Sequence, residues 1–335
     1  MNYIGSKFRL LPFLYEHISK SLEKRHLRLQ DCVFADIFAG TCAVSKFFKN
    51  KVKRIIANDK EFYSFVLAKN YIQNSTPLKQ SEELIHILNN AIPLIKGKIY
   101  THYALGGGEN RQYFSDNNAI KIDSIRTQIS LWKKENFIND AQYYFLLASL
   151  LESADKVANT ASVYGAFLKN LKKSACKDLD LKAAFFELSA NSHQAFNQNV
   201  EDLIDNITAD ILYLDPPYNT REYGANYHLL NSIALYDDFI PQGKTGLRIY
   251  EKSAWCKRNL VESALAELIE KAQAKFVFLS YNDEGLLHLE QIAQIFKKYG
   301  KYSFKTQIHN RFKADSQRIQ KQQKTLEYLH ILEKN

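Results

Sequence analysis

The sequence holds four cysteines in 335 residues, Cys32, Cys42, Cys176 and Cys256. None forms a CxxC pair or stands beside a histidine at metal-ligand spacing, so neither a zinc site nor a disulfide framework is suggested and no metal is expected. No apolar run reaches the roughly 18 residues that span a bilayer, and the opening Met1-Asn2-Tyr3-Ile4-Gly5-Ser6-Lys7 lacks the apolar core and cleavage site of a secretory leader. The expectation is a cytoplasmic protein with no membrane association. Acidic residues are in deficit, 36 against 45 basic, leaving a formal charge of +9. A positive field of that kind attracts polyanions before any specific contact forms. Basic residues cluster at Lys169 to Lys177 and Arg311 to Lys324, where a solvated surface and a run of phosphate contacts are equally good readings. No internal repeat or low-complexity tract is present.

What is there is a chain with 46% hydrophobic residues, enough for a large α/β core. Short β-branched and aromatic runs at Val33 to Phe38, Arg54 to Asn58, Ile211 to Asp215 and Lys275 to Tyr281 alternate with helical patterns. This predicts a mostly parallel sheet covered by helices. Between about Asn74 and Asp180 the character turns polar and helix-rich, broken at Gly106-Gly107-Gly108 and apolar through Tyr143 to Leu151. The segment reads as an inserted helical domain, residues 76–180, in a domain made of 1–75 and 181–335. A strand pattern resumes over Ala183 to Leu188, and Tyr302 to His309 with Glu327 to Leu332 alternate like an antiparallel edge pair.

Two places carry chemistry. Asp36-Ile37-Phe38-Ala39-Gly40-Thr41-Cys42 follows a strand and precedes the helical stretch Ala43 to Asn50. A glycine turn there lets the backbone approach a ligand at the carboxyl edge of the sheet. The next strand ends at Asn58-Asp59, whose carboxylate can accept hydrogen bonds from both ribose hydroxyls of a nucleoside cofactor. Cys42 stands where such turns often have a second glycine. If its φ is positive the strain is roughly 1–3 kcal/mol.

The second place is Asp215-Pro216-Pro217-Tyr218, at the end of Ile211-Leu212-Tyr213-Leu214. An aromatic amine is a poor nucleophile because its lone pair is delocalised into the ring. The Asp215 carboxylate and the Pro216 carbonyl can accept its two N–H groups and aim the lone pair at an electrophilic methyl. Pro216 and Pro217 fix φ and hold these acceptors at one separation. Tyr218 can stack on the base, worth about 1–3 kcal/mol, against the few kcal/mol that flipping a base from a duplex costs. A plain strand-ending turn would use the same residues. The glycine turn and ribose acid upstream favour the chemical reading.

On these residues the chain resembles the bacterial DNA adenine N6-methyltransferases of restriction-modification systems, in the class whose cofactor motifs precede the catalytic one. Asn2-Tyr3-Ile4-Gly5-Ser6-Lys7 looks like the N-terminal motif of that family. Asp36 to Thr41 matches the glycine turn, Asp59 the ribose acid, and Asp215 to Tyr223 with Asn226-Tyr227-His228 the catalytic loop. Ser280-Tyr281-Asn282 resembles a further loop beside the active site. The resemblance implies a Rossmann-like S-adenosylmethionine-dependent methyltransferase sheet with an inserted helical target-recognition domain. Tyr3, Gly5, Lys7, Asp36, Phe38, Ala39, Gly40, Thr41, Asp59, Asn199 and Asp215 would face the cofactor, S-adenosyl-L-methionine. At Asn199 the family usually has an Asp facing the adenine.

Within the insert, Asn110 to Phe114, Ile122 to Arg126 and Asp155 to Thr160 resemble family motifs. Arg111, Arg126 and Lys156 there, with Asn219, Arg221 and Tyr223 of the catalytic loop, would contact double-stranded DNA; for Arg111 and Arg126 taken singly, an ordinary surface or capping role is the stronger reading. A cognate restriction endonuclease would be a functional partner without a stable complex, and the enzyme would act as a monomer. Asp rather than Asn at the head of the tetrapeptide argues against a protein glutamine methyltransferase. An RNA N-methyltransferase, or a catalytically impaired basic DNA-binding protein of the same fold suggested by Cys42 and Asn199, are the alternatives.

Overall fold

The computed structural model describes residues 7–161, 163–310 and 324–335. They fall into two compact units. A sheet unit is drawn from the chain up to Lys60, from Ser189–Glu222 and from Lys252–Asn335, and a helical unit from Glu61–Leu188 and Tyr223–Glu251. The helical unit is wider than the 76–180 segment read from the sequence. A short apolar helix that follows a strand end, as Phe62–Ala68 does, carries no compositional mark of the unit it belongs to.

The sheet unit is built on β1 (Val33–Asp36), β2 (Arg54–Asn58), β3 (Gln194–Phe196), β4 (Thr208–Leu214), β5 (Gln273–Asn282), β6 (Gly300–Asn310) and β7 (Lys324–Lys334). Their order across the sheet is β3-β2-β1-β4-β5-β7-β6. The first five run parallel, and β7 is antiparallel to both β5 and β6. This is a Rossmann-like methyltransferase sheet. A parallel sheet covered on both faces needs near-continuous apolar strands, which is why Ile211 to Leu214 is buried throughout. Ala35, Leu212, Leu214, Val277 and Leu279 pack with Leu265, Ile269, Ile292 and Phe296 of the helices Val261–Lys271 and Leu289–Lys297. Alternate side chains point the other way, where Phe34 stacks on Phe48 at 4.6 Å and on Tyr213 at 6.1 Å.

The helical unit holds two long helices with ordinary start signals. Ser115 accepts from the Asn118 amide at the head of Asp116–Lys134, and Asn139 with Gln142 forms a capping box at the head of Asp140–Val157. Its core is aromatic: Tyr103, Tyr113, Phe114, Phe145, Tyr164 and Tyr227 are all buried. No strand forms over Ala183 to Leu188. Side chains take its neighbouring backbone groups instead: Ser153 accepts from Lys182 N, Ser149 accepts from Ala184 N, and Asn70 donates to Ala184 O. With those groups satisfied, no ladder is needed. Among the described residues no helix is long and apolar enough to cross a membrane.

Candidate active site

Because β7 runs against its neighbours, its N-terminal end lies beside the C-terminal end of β5, with Glu327 opposite Asn282. One edge of the sheet therefore gathers the ends of β1 at Asp36, β2 at Asn58-Asp59, β4 before Asp215, β5 at Asn282, and the start of β7. In open α/β sheets this is the ligand edge.

The glycine turn after β1 is held from β2 and from the loop after β3. Ala39 N donates to Asn58 O at 2.9 Å and Gly40 N to the Asp59 carboxylate at 2.8 Å. The buried Asn58 side chain donates to Ile37 O at 3.2 Å and to Gln198 O at 3.1 Å, and accepts from Gln198 N at 3.1 Å. Asn197 donates to Asp59 O and Lys60 O. Asn199 is thus carried to the end of β2, where it is exposed and caps the short helix Val200–Leu203 without a side-chain capping bond. Gly40 has φ 52° and Cys42 φ 60°, so Cys42 takes the strained left-handed conformation and packs its buried side chain beneath the turn.

Asp36 is 2% exposed. Ser45 Oγ donates to its Oδ2 at 2.6 Å, while Oδ1 has no hydrogen-bond partner among the described residues. Burial, reinforced by the charges of Asp215 and Asp59 and opposed by Ser45, pushes its carboxyl up to about 7. A buried acceptor left open at a ligand edge calls for a donor or a cation from outside the protein. Phe38, only partly buried, meets Trp255 edge-on at 4.9 Å, and the Trp255 indole donates to Glu201 at 2.9 Å. An open carboxylate, a second acid at the end of β2 and an aromatic wall fit the ammonium, ribose and base of S-adenosylmethionine.

The tetrapeptide sits where β4 ends. Prolines cannot donate to a ladder, so Pro216 and Pro217 stop the strand and leave Asp215 at its tip. Lys7, in the turn Lys7–Leu10 before the helix Leu11–Glu23, places its ammonium 3.2 Å from Asp215 Oδ1 and 3.5 Å from Glu327 Oε2. Its side chain is 5% exposed, that of Asp215 20% and that of Glu327 11%. Burial works against the Lys7 charge, yet Asp215 and Glu327 outweigh it and hold Lys7 above the ordinary lysine range. Asp215 is pushed up to about 6 by burial, with Glu327 adding to the shift and Lys7 opposing it. Tyr218 is half-buried against the sheet core, its carbonyl accepting from Leu286 N at 2.9 Å, and burial raises its phenol above the usual range.

The structure thus brings together Lys7, Asp36, Phe38, Ala39, Gly40, Thr41, Asp59, Asn199 and Asp215 to Tyr218 at one edge of the sheet unit. Tyr3 and Gly5 lie outside the described residues. Asn219 accepts from Arg221 N at 2.9 Å in a tight turn that leaves Arg221 exposed. Lys156 is exposed near the C-terminus of its helix. Tyr223 opens a short helix of the helical unit and stacks on Tyr227 at 6.0 Å.

Other sequence readings are corrected. Arg111 is buried and donates to the carbonyls of His102, Gly243 and Lys244; Arg126 is buried and donates to those of Ile233, Ala234 and Leu235, capping the helix His228–Leu235. Both guanidinium groups hold backbone, the structural role that is the stronger reading for each taken singly, and neither is kept as a DNA contact. His228 is likewise no part of a catalytic loop: its ring is buried, Nε2 faces Tyr164 O at 3.0 Å, and burial lowers it to about 4. Ser280-Tyr281-Asn282 is the end of β5 rather than a loop.

Sequence reasoning missed Glu327, Ser45, Trp255 and Glu201. Nothing local marks Glu327, since its place follows from the antiparallel pairing of β7. Trp255 and Glu201 are distant in sequence and meet only through the fold.

The family model of the D12 class N6 adenine-specific DNA methyltransferases matches residues 3–295. The type II methyltransferase M.NlaIII of Neisseria lactamica is 54% identical over 100% of this chain and 99% of its own. The type II methyltransferase M.CviAII of Paramecium bursaria Chlorella virus 1 is 36% identical over 94% of this chain and 93% of its own. The type II methyltransferase M.FokI of Planomicrobium okeanokoites is 38% identical over 90% of this chain but 47% of its own length. With a glycine turn, an acid ending the second strand and Asp215-Pro216-Pro217-Tyr218 at one sheet edge, the chain belongs to the D12 class of N6 adenine-specific DNA methyltransferases.

Proposed function

We propose that the chain is a site-specific adenine methyltransferase that carries a methyl group from S-adenosylmethionine to N6 of an adenine turned out of duplex DNA, as the modification partner of a restriction endonuclease. The observation that carries this is Asp215, held by Lys7 at the tip of β4 beside a glycine turn whose Asp36 has an unpartnered buried oxygen.

The bound cofactor supplies an electrophilic methyl on a sulfonium, and Asp36, Phe38, Gly40, Asp59 and Asn199 would hold it. Asp215 and the Pro216 carbonyl accept the two N–H groups of the target amine and pull its lone pair out of conjugation. Lys7 fixes the direction of the Asp215 carboxylate. Tyr218 covers one face of the base and offsets part of the cost of unstacking it. The nitrogen would become cationic and acidic as it takes the methyl, whose bond to sulfur breaks and leaves a neutral thioether, and Asp215 is placed to receive the proton the nitrogen then sheds. The helical unit, with Lys156 and its exposed basic residues, supplies target recognition, and Arg221 with Asn219 lies close enough in sequence to the tetrapeptide to track the strand beside the flipped base.

Purified protein, S-adenosylmethionine labelled in the methyl group and a mixed pool of duplex DNA should give N6-methyladenine on hydrolysis, and Asp215→Ala should abolish it. Label in RNA of the same sequences but not in duplex DNA, or no label at all, overturns the proposal.

A further inference from the structure

The function proposed above uses Lys7 and Asp215, but the same ammonium is shared with a second carboxylate. Glu327 enters from β7, a strand that takes no part in the glycine turn or the tetrapeptide, and it is 8% exposed. Its Oε2 lies 3.5 Å from Lys7 Nζ, on the cation that also lies 3.2 Å from Asp215. A buried and a largely shielded carboxylate on one lysine leave the cluster with a net charge of −1. Burying an excess charge is costly, and a single carboxylate would neutralise Lys7 without it. An arrangement that keeps the excess has an electrostatic consequence where the target amine docks.

We propose that Glu327 is a positioning residue for methyl transfer: by holding part of the Lys7 ammonium it keeps Asp215 an available, strongly accepting carboxylate and leaves the site net negative where the amine nitrogen becomes positive. With Lys7 given wholly to Asp215, the carboxylate would be a weaker acceptor and the site neutral. The transition state carries positive charge on nitrogen, so a preorganised negative charge stabilises it more than the neutral ground state. Glu327 acts through Lys7 and does not itself contact the base. The inference rests on the methyltransferase reading of the site.

The groups around Asp215 are Lys7 from the N-terminal turn, Glu327 from β7, Asp36 from β1, and Tyr213 and Tyr218 from its own strand and loop. Lys7 pulls the Asp215 titration down; Glu327 pushes it up. Removing the Glu327 charge therefore moves Asp215 to ionise at lower pH.

The test compares wild type, Glu327→Gln and Glu327→Asp. In cofactor-free protein carrying 13C-carboxyl aspartate, with the Asp215 signal assigned by its loss in Asp215→Asn, the titration midpoint should fall in the order wild type, Glu327→Asp, Glu327→Gln. In turnover with duplex DNA, kcat of Glu327→Gln at pH 8 should drop by about tenfold or more, the scale on which preorganised charge acts. KM for DNA should change little, and the acid limb of kcat should move to lower pH. Glu327→Asp, with its carboxylate one methylene farther back, should lie between the two and serves alone if the glutamine variant does not fold. An Asp215 midpoint that is the same in all folded variants, or a kcat that survives Glu327→Gln, overturns the inference. If wild type itself transfers no methyl to DNA, the methyltransferase reading fails instead, while the carboxyl titration still reports whether Glu327 acts on Asp215.

Discussion

At the scale of single residues, the two raised carboxyls give pH dependences of opposite sign, one in rate and one in stability. In the proposed mechanism Asp215 must be ionised to accept the amine N–H groups, and its carboxyl is pushed up to about 6. The rate of methyl transfer should therefore rise through pH 6 and level off above it, and a rate that is flat between pH 5 and 8 would contradict the role given to Asp215. Asp36 is pushed up to about 7 by burial. The unfolded chain loses that proton near pH 4 and the native protein keeps it until about pH 7. Folding stability therefore falls as pH rises from 4 to 7, and the loss, up to about 4 kcal/mol, is complete above pH 7. Asp36→Asn should raise the melting temperature at pH 8 by several degrees and not at pH 4, since its amide carries no charge to bury. The same change should weaken binding of S-adenosylmethionine in calorimetry. A variant that is no more stable at pH 8 would show that Asp36 is ionised at no cost.

At the scale of elements, the site is assembled by hydrogen bonds between the ends of strands rather than by any one motif. Asn58 is the joint: its buried amide ties the glycine turn after β1 to the loop that carries Asn199. Asn58→Ala removes three hydrogen bonds and leaves Ile37 O and the Gln198 amide and carbonyl unpaired, a cost of about 3 kcal/mol. It should lower the melting temperature and weaken cofactor binding together. Loss of one without the other would separate the turn from the Asn199 loop. The sequence showed the ends of β1, β2 and β4 because each is a short apolar run that stops at a turn or an acid. It misled over Ala183 to Leu188, where the alternation is real but Ser149 and Asn70 take the backbone groups a neighbouring strand would have taken. It was silent on Glu327, because a glutamate in an alternating strand looks like any solvated residue until the strand is known to run backwards along the ligand edge.

At the scale of the whole molecule, the chain visits the helical unit twice, after the end of β2 and again after the tetrapeptide loop. The second visit, Tyr223–Glu251, escaped the sequence reading because its helix His228–Leu235 is as apolar as a core helix of the sheet unit. The chain also carries a net charge of +9, and with Arg111 and Arg126 committed to backbone, phosphate contact falls to exposed cations. Lys169, Lys173 and Lys177 stand exposed on a segment of turns; most of the other basic cluster, Arg311 to Lys324, lies outside the described residues. Each phosphate neutralised by a protein cation releases counterions, so the logarithm of DNA affinity should fall with the logarithm of salt at a slope of about −0.9 per contact. Replacing the three lysines together by glutamine should flatten that slope by up to about 2.7, if all three meet phosphates, while cofactor binding stays unchanged. DNA anisotropy titrations from low to physiological salt measure it directly. An unchanged slope would return Lys169 to Lys177 to plain solvated surface and leave the positive field of the protein to be carried elsewhere.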